Sequence, residues 1–337
     1  MPVISAFGSI LFLGAFALLP LHWVSIGAPW VPLLVTFIAI PLIDRWVGPP
    51  RGHSDGASVA FVRYIPRMQL IVQSILLVEV VRIASNLEWG ELVVFGLAVG
   101  TVTGGIGITV AHELAHRAER IDRFIAKALL VSVGYGHFVV EHVRGHHVRV
   151  GTPDDPATAP RGMSVYRFIA RSVAGSFKHA WRLEKIRLQH ERRPPWSLRN
   201  WVLSGSLLSL LMLAVAATFG GAKAALVLSL QAAWAIVLLE IINYIEHYGL
   251  QRRRINDRYE PVREEHSWNA NYTVSNWLLF NLQLHPDHHT NVQRPFDQLR
   301  SVASAPQLPA GYPAMVLLAL VPPAWFAVMN PRLPVAA

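Results

Sequence analysis

The chain has 337 residues, 53% of them apolar and only 15% charged, with a formal net charge of +9. A soluble domain carries about a quarter of its residues as charges, so this composition excludes disorder, collagen-like repeats and a disulfide framework. There is no cysteine, which removes thiolate metal sites, iron–sulfur clusters and a cysteine nucleophile from this chain.

Residues 2–43 contain no Asp, Glu, Lys or Arg and are broken by Pro20, Gly27, Pro29 and Pro32. About 20 apolar residues cross a bilayer, so this stretch predicts two spans, about 3–20 and 29–43. A third is predicted over 68–84, where Glu79 and Arg82 are spaced to pair on one face. The uncharged run 92–111 gives a fourth. Its Gly104, Gly105 and Gly107 lie in a span with no preceding strand, and read as close helix packing rather than a nucleotide loop. Spans over 201–219 and 224–245 complete three hairpins. With the N-terminus inside, all 30 basic residues except Lys223 and Arg82 fall in the loops 44–67 and 112–200 or in the tail from 246. That asymmetry predicts a cytoplasmic location for both termini and those loops.

Met1-Pro2-Val3 lacks a basic leader, so the first span is expected to remain in place. The surplus positive charge is assigned to orientation and anionic lipid, not to nucleic acid. Between Ser164 and Arg193 apolar residues (Val165, Phe168, Ile169, Val173, Phe177, Trp181, Ile186) alternate with basic ones, as in a helix lying in the membrane interface. Pro322 and Pro323 split the apolar run 314–329 into pieces too short to span. The expectation is an all-α integral membrane protein, a single membrane domain over 1–337. It has six transmembrane helices and a histidine-rich cap on the cytoplasmic side.

Nine of the fifteen histidines fall in four segments at 112–117, 141–147, 243–249 and 283–289. His112 and His116 are four apart, on one helix face. His142, His146 and His147 stand within six residues, His247 ends the sixth span, and His285, His288 and His289 share one turn. HExxH alone is also the zinc-protease signature, but that reading needs one further ligand and leaves the other clustered histidines unused. Nine imidazoles exceed one metal's coordination, so two metals are the natural count. Nitrogen ligation suits iron, copper or zinc, and spacing alone does not choose among them. A metal site at the ends of lipid-embedded helices can take an apolar substrate from the bilayer and electrons from the water side. A histidine-lined metal transporter is the non-enzyme alternative; its ligands would be expected near the bilayer midplane.

HELAHR, EHVRGHHVRVGTPDDPA, NYIEHYGL and LQLHPDHH resemble the four histidine boxes of the membrane alkane 1-monooxygenases, within the membrane fatty-acid desaturase and hydroxylase superfamily. NYIEHYG is the most discriminating of these. The resemblance implies two iron ions held by His112, His116, His142, His146, His147, His247, His285, His288 and His289. It implies hydroxylation of the terminal methyl of medium- and long-chain n-alkanes with O2. Electrons would come from a separate rubredoxin or ferredoxin, reduced by an NAD(P)H-dependent reductase, and the location would be a bacterial inner membrane. Leu284 and Pro286 depart from the usual last box, where Arg and Ser are common. That departure leaves a xylene-type methyl monooxygenase, or a fatty-acyl desaturase or hydroxylase, as alternatives.

Ligating imidazoles usually donate their second N–H to a carboxylate or carbonyl. The acids near the boxes are Glu113, Glu141, Asp155, Glu240, Glu246 and Asp287. Glu240 stands out as an ionisable residue inside a span, two helical turns before His247; Asn243 and Tyr244 are placed to act similarly. Trp234 and Phe95 are read either as liners of a substrate tunnel or as packing aromatics. Arg252, Arg253 and Arg254 are read either as a docking patch for an acidic redox partner or as lipid-headgroup contacts.

Overall fold

The computed structural model describes residues 17–50 and 62–334, so most of the expected first span lies outside the described residues. Helix α1 (Ala17–Ser25) leads through a turn into α2, residues 31–47, in which a wider π turn at Val35–Ala39 joins two α-helical pieces. Among the described residues three helices are long and apolar enough to cross a membrane: α3 (Val62–Asn86), α4 (Trp89–Ala115) and α8 (Trp201–His247). Glu79 and Arg82 pair at 2.8 Å on α3, as their spacing predicts.

Helix α8 has 47 residues, roughly 70 Å if straight, about twice a bilayer. It folds back at Gly221, whose φ of 70° suits glycine. The fold-back is visible in the hydrogen bonds: Ser209 Oγ donates to Val131 O at 2.8 Å and Gln231 Nε2 to Ser132 O at 3.0 Å, so both arms reach one place. The fifth and sixth expected spans are these two arms.

Small residues let α4 approach the second arm closely. A Cβ on Gly100 would lie 2.6 Å from Gln231 O, and one on Gly104 would lie 2.8 Å from Ala235 Cα. Without water, buried polar side chains in such a bundle must satisfy one another. Thr103 donates to Gln231 at 2.7 Å, and Gln73 on α3 donates to Ser132 at 2.6 Å. Leu207, Leu210, Leu211 and Phe219 of α8, with Ile71, Ile75 and Val78 of α3, stay exposed, as lipid-facing residues should. Gly100→Val is expected to cost about 1–3 kcal/mol by forcing this contact apart, seen as a lower Tm in detergent with unchanged membrane insertion.

The cap is built from short pieces: α5 (Arg120–Ser132), α6 (residues 138–149), the long α7 (Val165–His190), α9 (Thr273–Leu278) and α10 (His285–Thr290). The apolar run near the C-terminus breaks at its prolines into α11 (Tyr312–Ala319) and α12 (Pro322–Met329), as expected. A small hairpin, β1 (Arg254–Ile255) with β2 (Arg258–Tyr259), and a single parallel bridge between Asn269 and Gln307 are the β structure among the described residues. Asp44, at the end of α2, accepts from Val274 N at 2.7 Å and Ser275 N at 3.2 Å. It thereby caps α9 from outside, because the first N–H groups of a helix lack internal partners.

Candidate metal centre

The nine clustered histidines converge on one place at the ends of α4 and α8. They divide into two groups, His112, His116, His142, His147 and His288, and His146, His247, His285 and His289. Within each group one ring nitrogen per residue lies within 4.8 Å of all the others. The local helix geometry explains the division. His112 and His116, four apart, share a group in the usual helical way. In α6 the turn from His142 to His146 is π-helical, and a π turn brings residues five apart onto one face. His142 therefore meets His147, Nε2 to Nε2 at 3.0 Å, and His146 is sent to the other group, 3.3 Å from His289. On α10, Pro286 at the first turn starts the helix. His285 and His289 then bring their Nε2 atoms to 2.9 Å, and His288 points the other way, 3.2 Å from His147. Spacing by four, on which the sequence reading relied, holds for two of the pairs; at α6 the spacing that matters is five.

Convergent imidazole nitrogens need a cation. Burial first, and then the neighbouring rings, hold His142, His147, His285, His288 and His289 well below the ordinary imidazole range; burial and His146 push His116 down to about 4. A neutral ring has one N–H. His146 Nδ1 meets Asp155 Oδ2 at 3.0 Å and His247 Nδ1 meets the carbonyl of His266 at 3.3 Å. Those partners place the ring proton on Nδ1 and leave the Nε2 lone pair facing its group. Lone pairs 2.9–3.3 Å apart repel one another, and the buried His112 Nε2 has no hydrogen-bond partner among the described residues. The donor set, all imidazole, fits iron, zinc or copper far better than magnesium or calcium.

The acids around the rings do different jobs. Asp155 is tied by Thr158 Oγ1 at 2.6 Å and Ala157 N at 3.1 Å, so its aim at His146 is fixed. Glu246 Oε2 lies 3.3 Å from His285 Nε2, and its other oxygen accepts from Tyr312. Glu240 accepts from Tyr135 at 2.6 Å and from Asn243 at 3.3 Å, one layer away from the rings. Asp287 accepts from Asn291, Arg294 and Arg300 N, Glu113 pairs with Arg117, and the Tyr244 hydroxyl donates to Met163 O. Four residues that the sequence reading does not name belong to this layer: Tyr312, Tyr135, His266 and His179, whose Nδ1 lies 3.1 Å from Glu141. They come from segments without a box pattern, and no local spacing marks them.

An apolar cavity of about 810 Å³, counting its open mouth, runs up to the rings. His112, His142, His285, Glu246 and Tyr312 form its head. Its walls are Thr36 and Phe37 of α2, Gly104, Gly105, Ile106 and Ile108 of α4, Leu238, Leu239 and Ile242 of α8, Leu278, Leu279 and Leu282 from α9 and its C-terminal turn, and Val316 of α11. Neither Trp234 nor Phe95 lines it. Trp234 donates to Thr101 at 2.9 Å and Phe95 is fully buried, so the packing reading of these two is the one the structure bears out. Arg252 is engaged inside the protein, donating to Glu260 O at 2.6 Å and Val148 O at 3.0 Å.

Residues 88–319 match the family model described as fatty acid desaturase. The chain is 40% identical over 329 residues to alkane 1-monooxygenase 2 of Pseudomonas aeruginosa, covering 92% of this chain and 87% of that one. It is 47% identical over 249 residues to alkane 1-monooxygenase 1 of the same organism, covering 73% of this chain and 65% of the relative. The xylene/toluene monooxygenase hydroxylase component of Pseudomonas putida is 32% identical over 238 residues, covering 70% of this chain and 63% of that one.

Proposed function

The chain belongs to the alkane 1-monooxygenases within the fatty acid desaturase family, and from that premise we propose that it hydroxylates the terminal methyl of medium- and long-chain n-alkanes in a membrane. The observation that carries this reading is the cavity: an apolar space whose head is made of His112, His142 and His285, one or more from each histidine group. An alkane has no polar handle, so shape and burial alone must bind it. A chain lying in this space presents its end, not its middle, to the imidazoles.

Two irons, one in the five-histidine group and one in the four-histidine group, would be held by the nine residues. Iron bound there supplies the reductive use of O2, one oxygen atom leaving in the alcohol and the other in water. The protein's own contribution is positional. Asp155 and the His266 carbonyl hold His146 and His247 in the tautomer that ligates. Ile106, Leu238 and Leu278 exclude water from the path of the substrate, which protects a reactive centre from wasteful turnover. Two electrons would come from a carrier of rubredoxin or ferredoxin type with its reductase; these 337 residues contain no cysteine to hold such a centre. His116 and His147 are the ligands only partly buried, and the carrier's closest approach is there. The second arm of α8 and α4 cross the bilayer, the cap and both termini face the cytoplasm, and the membrane is the bacterial inner one.

Val316 sits on the cavity wall and is 3% exposed. Val316→Phe adds bulk to the free space, so the longest alkane accepted is expected to shorten while octane turnover is kept within a few fold. Gas chromatography of products from an alkane series offered with xylene tests the reading. An unchanged chain-length profile, or xylene preferred to every alkane, would count against it.

A further inference from the structure

Helix α5 carries two adjoining stripes that the metal centre does not use. Ile121, Phe124 and Ala128 repeat at intervals of three and four, and so do Arg120, Arg123 and Lys127. Each set therefore lies along one face of the helix. Ile125, Ala126, Leu129 and Leu130 are buried, whereas Phe124 is 61% exposed and Ile121 50%. One face thus fixes α5 to the protein while an apolar stripe stays bare beside a basic one, the arrangement of a helix lying in a membrane interface. The far end of α5 meets the first arm of α8: Ser209 Oγ donates to Val131 O at 2.8 Å, and Trp201 Nε1 to Gly136 O at 2.8 Å. Trp201 opens that arm, and tryptophan favours the level of the lipid headgroups. In this corner the Lys127 ammonium lies 4.3 Å from the centre of the Trp201 ring.

The corner holds cations without anions to match. Glu184 has both oxygens taken, Oε1 by Arg144 at 2.9 Å and Arg187 at 2.8 Å, Oε2 by Arg187 at 2.8 Å and Trp201 N at 2.9 Å. Glu119 and Asp122, next to the basic stripe, turn to Arg63 and Arg67. Arg123 reaches the carbonyls of Arg117 and Ala118. Among the described residues, Arg120, Arg123, Lys127 and Arg199 have no ion pair. Burial holds the Lys127 amine below the ordinary lysine range, and Arg187 and Arg123 add to this against the pull of Glu184. An ammonium has three N–H donors; the Trp201 ring attracts the charge but supplies no oxygen to accept them.

We propose that the corner between α5 and the first arm of α8 binds an anionic glycerophospholipid, its phosphate held by Lys127, Arg123 and Arg199. Its acyl chains lie against Ile121 and Phe124 and along the arm, where Leu208, two turns beyond Trp201, is also exposed. Basic pockets beside membrane helices take anionic headgroups in this way. The ligand comes from the bilayer, because a free phosphate would leave the apolar stripe bare. A headgroup carrying its own amine would add a cation where cations are already in excess. The site stands apart from the metal centre and does not depend on the reaction carried out there.

The test uses the full chain, purified in mild detergent and offered phosphatidylglycerol or phosphatidylcholine, with native mass spectrometry reading which lipid stays bound. Wild type is expected to retain phosphatidylglycerol in preference, and excess inorganic phosphate should not displace it. Lys127→Gln should weaken retention about fivefold, the factor set by one cation close to an anionic lipid. Arg199→Gln, on an exposed side chain whose loss leaves the fold intact, should weaken it by a similar factor. Arg254→Gln, the same loss of charge on the β1–β2 hairpin, should change nothing. Equal retention of the two lipids by wild type, displacement by phosphate, or wild-type retention in both Lys127→Gln and Arg199→Gln would overturn the proposal. An equal loss in Arg254→Gln would overturn it too, since net charge and not a site would then hold the lipid.

Discussion

His247→Ala should remove the metal of the four-histidine group and abolish alkane hydroxylation while the protein still inserts. His247 is fully buried and is the one ligand delivered by α8. Its Nε2 lies 3.2 Å from His285, and its ring centroid 4.8 Å from His146 and 5.0 Å from His289. Losing a direct donor should cost more than losing a supporting group, so on the order of 100-fold or more in metal affinity is expected. Iron per chain should fall from two toward one, and alcohol should fall below detection. An alanine variant with normal iron and normal product would take His247 out of the ligand set.

Asp155→Asn should weaken the same metal without touching a ligand. The carboxylate reaches His146 Nδ1 at 3.0 Å and is locked by Thr158 and Ala157. Asparagine keeps the size but loses the anion that orients and enriches the imidazole. A loss of about 10–100-fold in metal affinity follows, with fold and insertion retained. Chelator competition against the wild type measures it. If His146 instead needed only a filled space beside it, the two proteins would release iron at the same rate.

The nine histidines that converge were legible in the sequence because imidazoles at helical spacing are rare and chemically specific. Their division into groups was not. At α6 the π turn, not the four-residue spacing, decides which ring joins which group, and nothing in His142-Val143-Arg144-Gly145-His146 announces a π turn. The supporting layer was partly legible. Asp155 and Glu246 stand within or beside boxes, whereas Tyr312 and His266 reach the rings from distant segments through tertiary packing. Glu240, singled out for its position two turns before His247, turns to Tyr135 and Asn243 instead. Helical phase fixes the face a side chain leaves from, but not which hydrogen-bond partner it finds.

Among the membrane helices, apolar length foretold α3, α4 and the two arms of α8, and Gly220–Lys223 marked the fold-back that Gly221 makes. The cavity was beyond the sequence. Its walls come from five separate elements, and residues such as Ile106, Leu278 and Val316 look like any other core positions. Trp234 and Phe95, read either as liners or as packing aromatics, turn out to pack: bulk inside a span is more often packing than function.

The most direct test is isotopic. Membranes carrying the iron-loaded protein, a rubredoxin-type donor and its reductase are given octane under ¹⁸O₂, and products are analysed by gas chromatography with mass detection. The account predicts 1-octanol bearing ¹⁸O, formed only when oxygen and reductant are both present. Octanol without the label, product made anaerobically, or no octanol from protein holding two irons would contradict it.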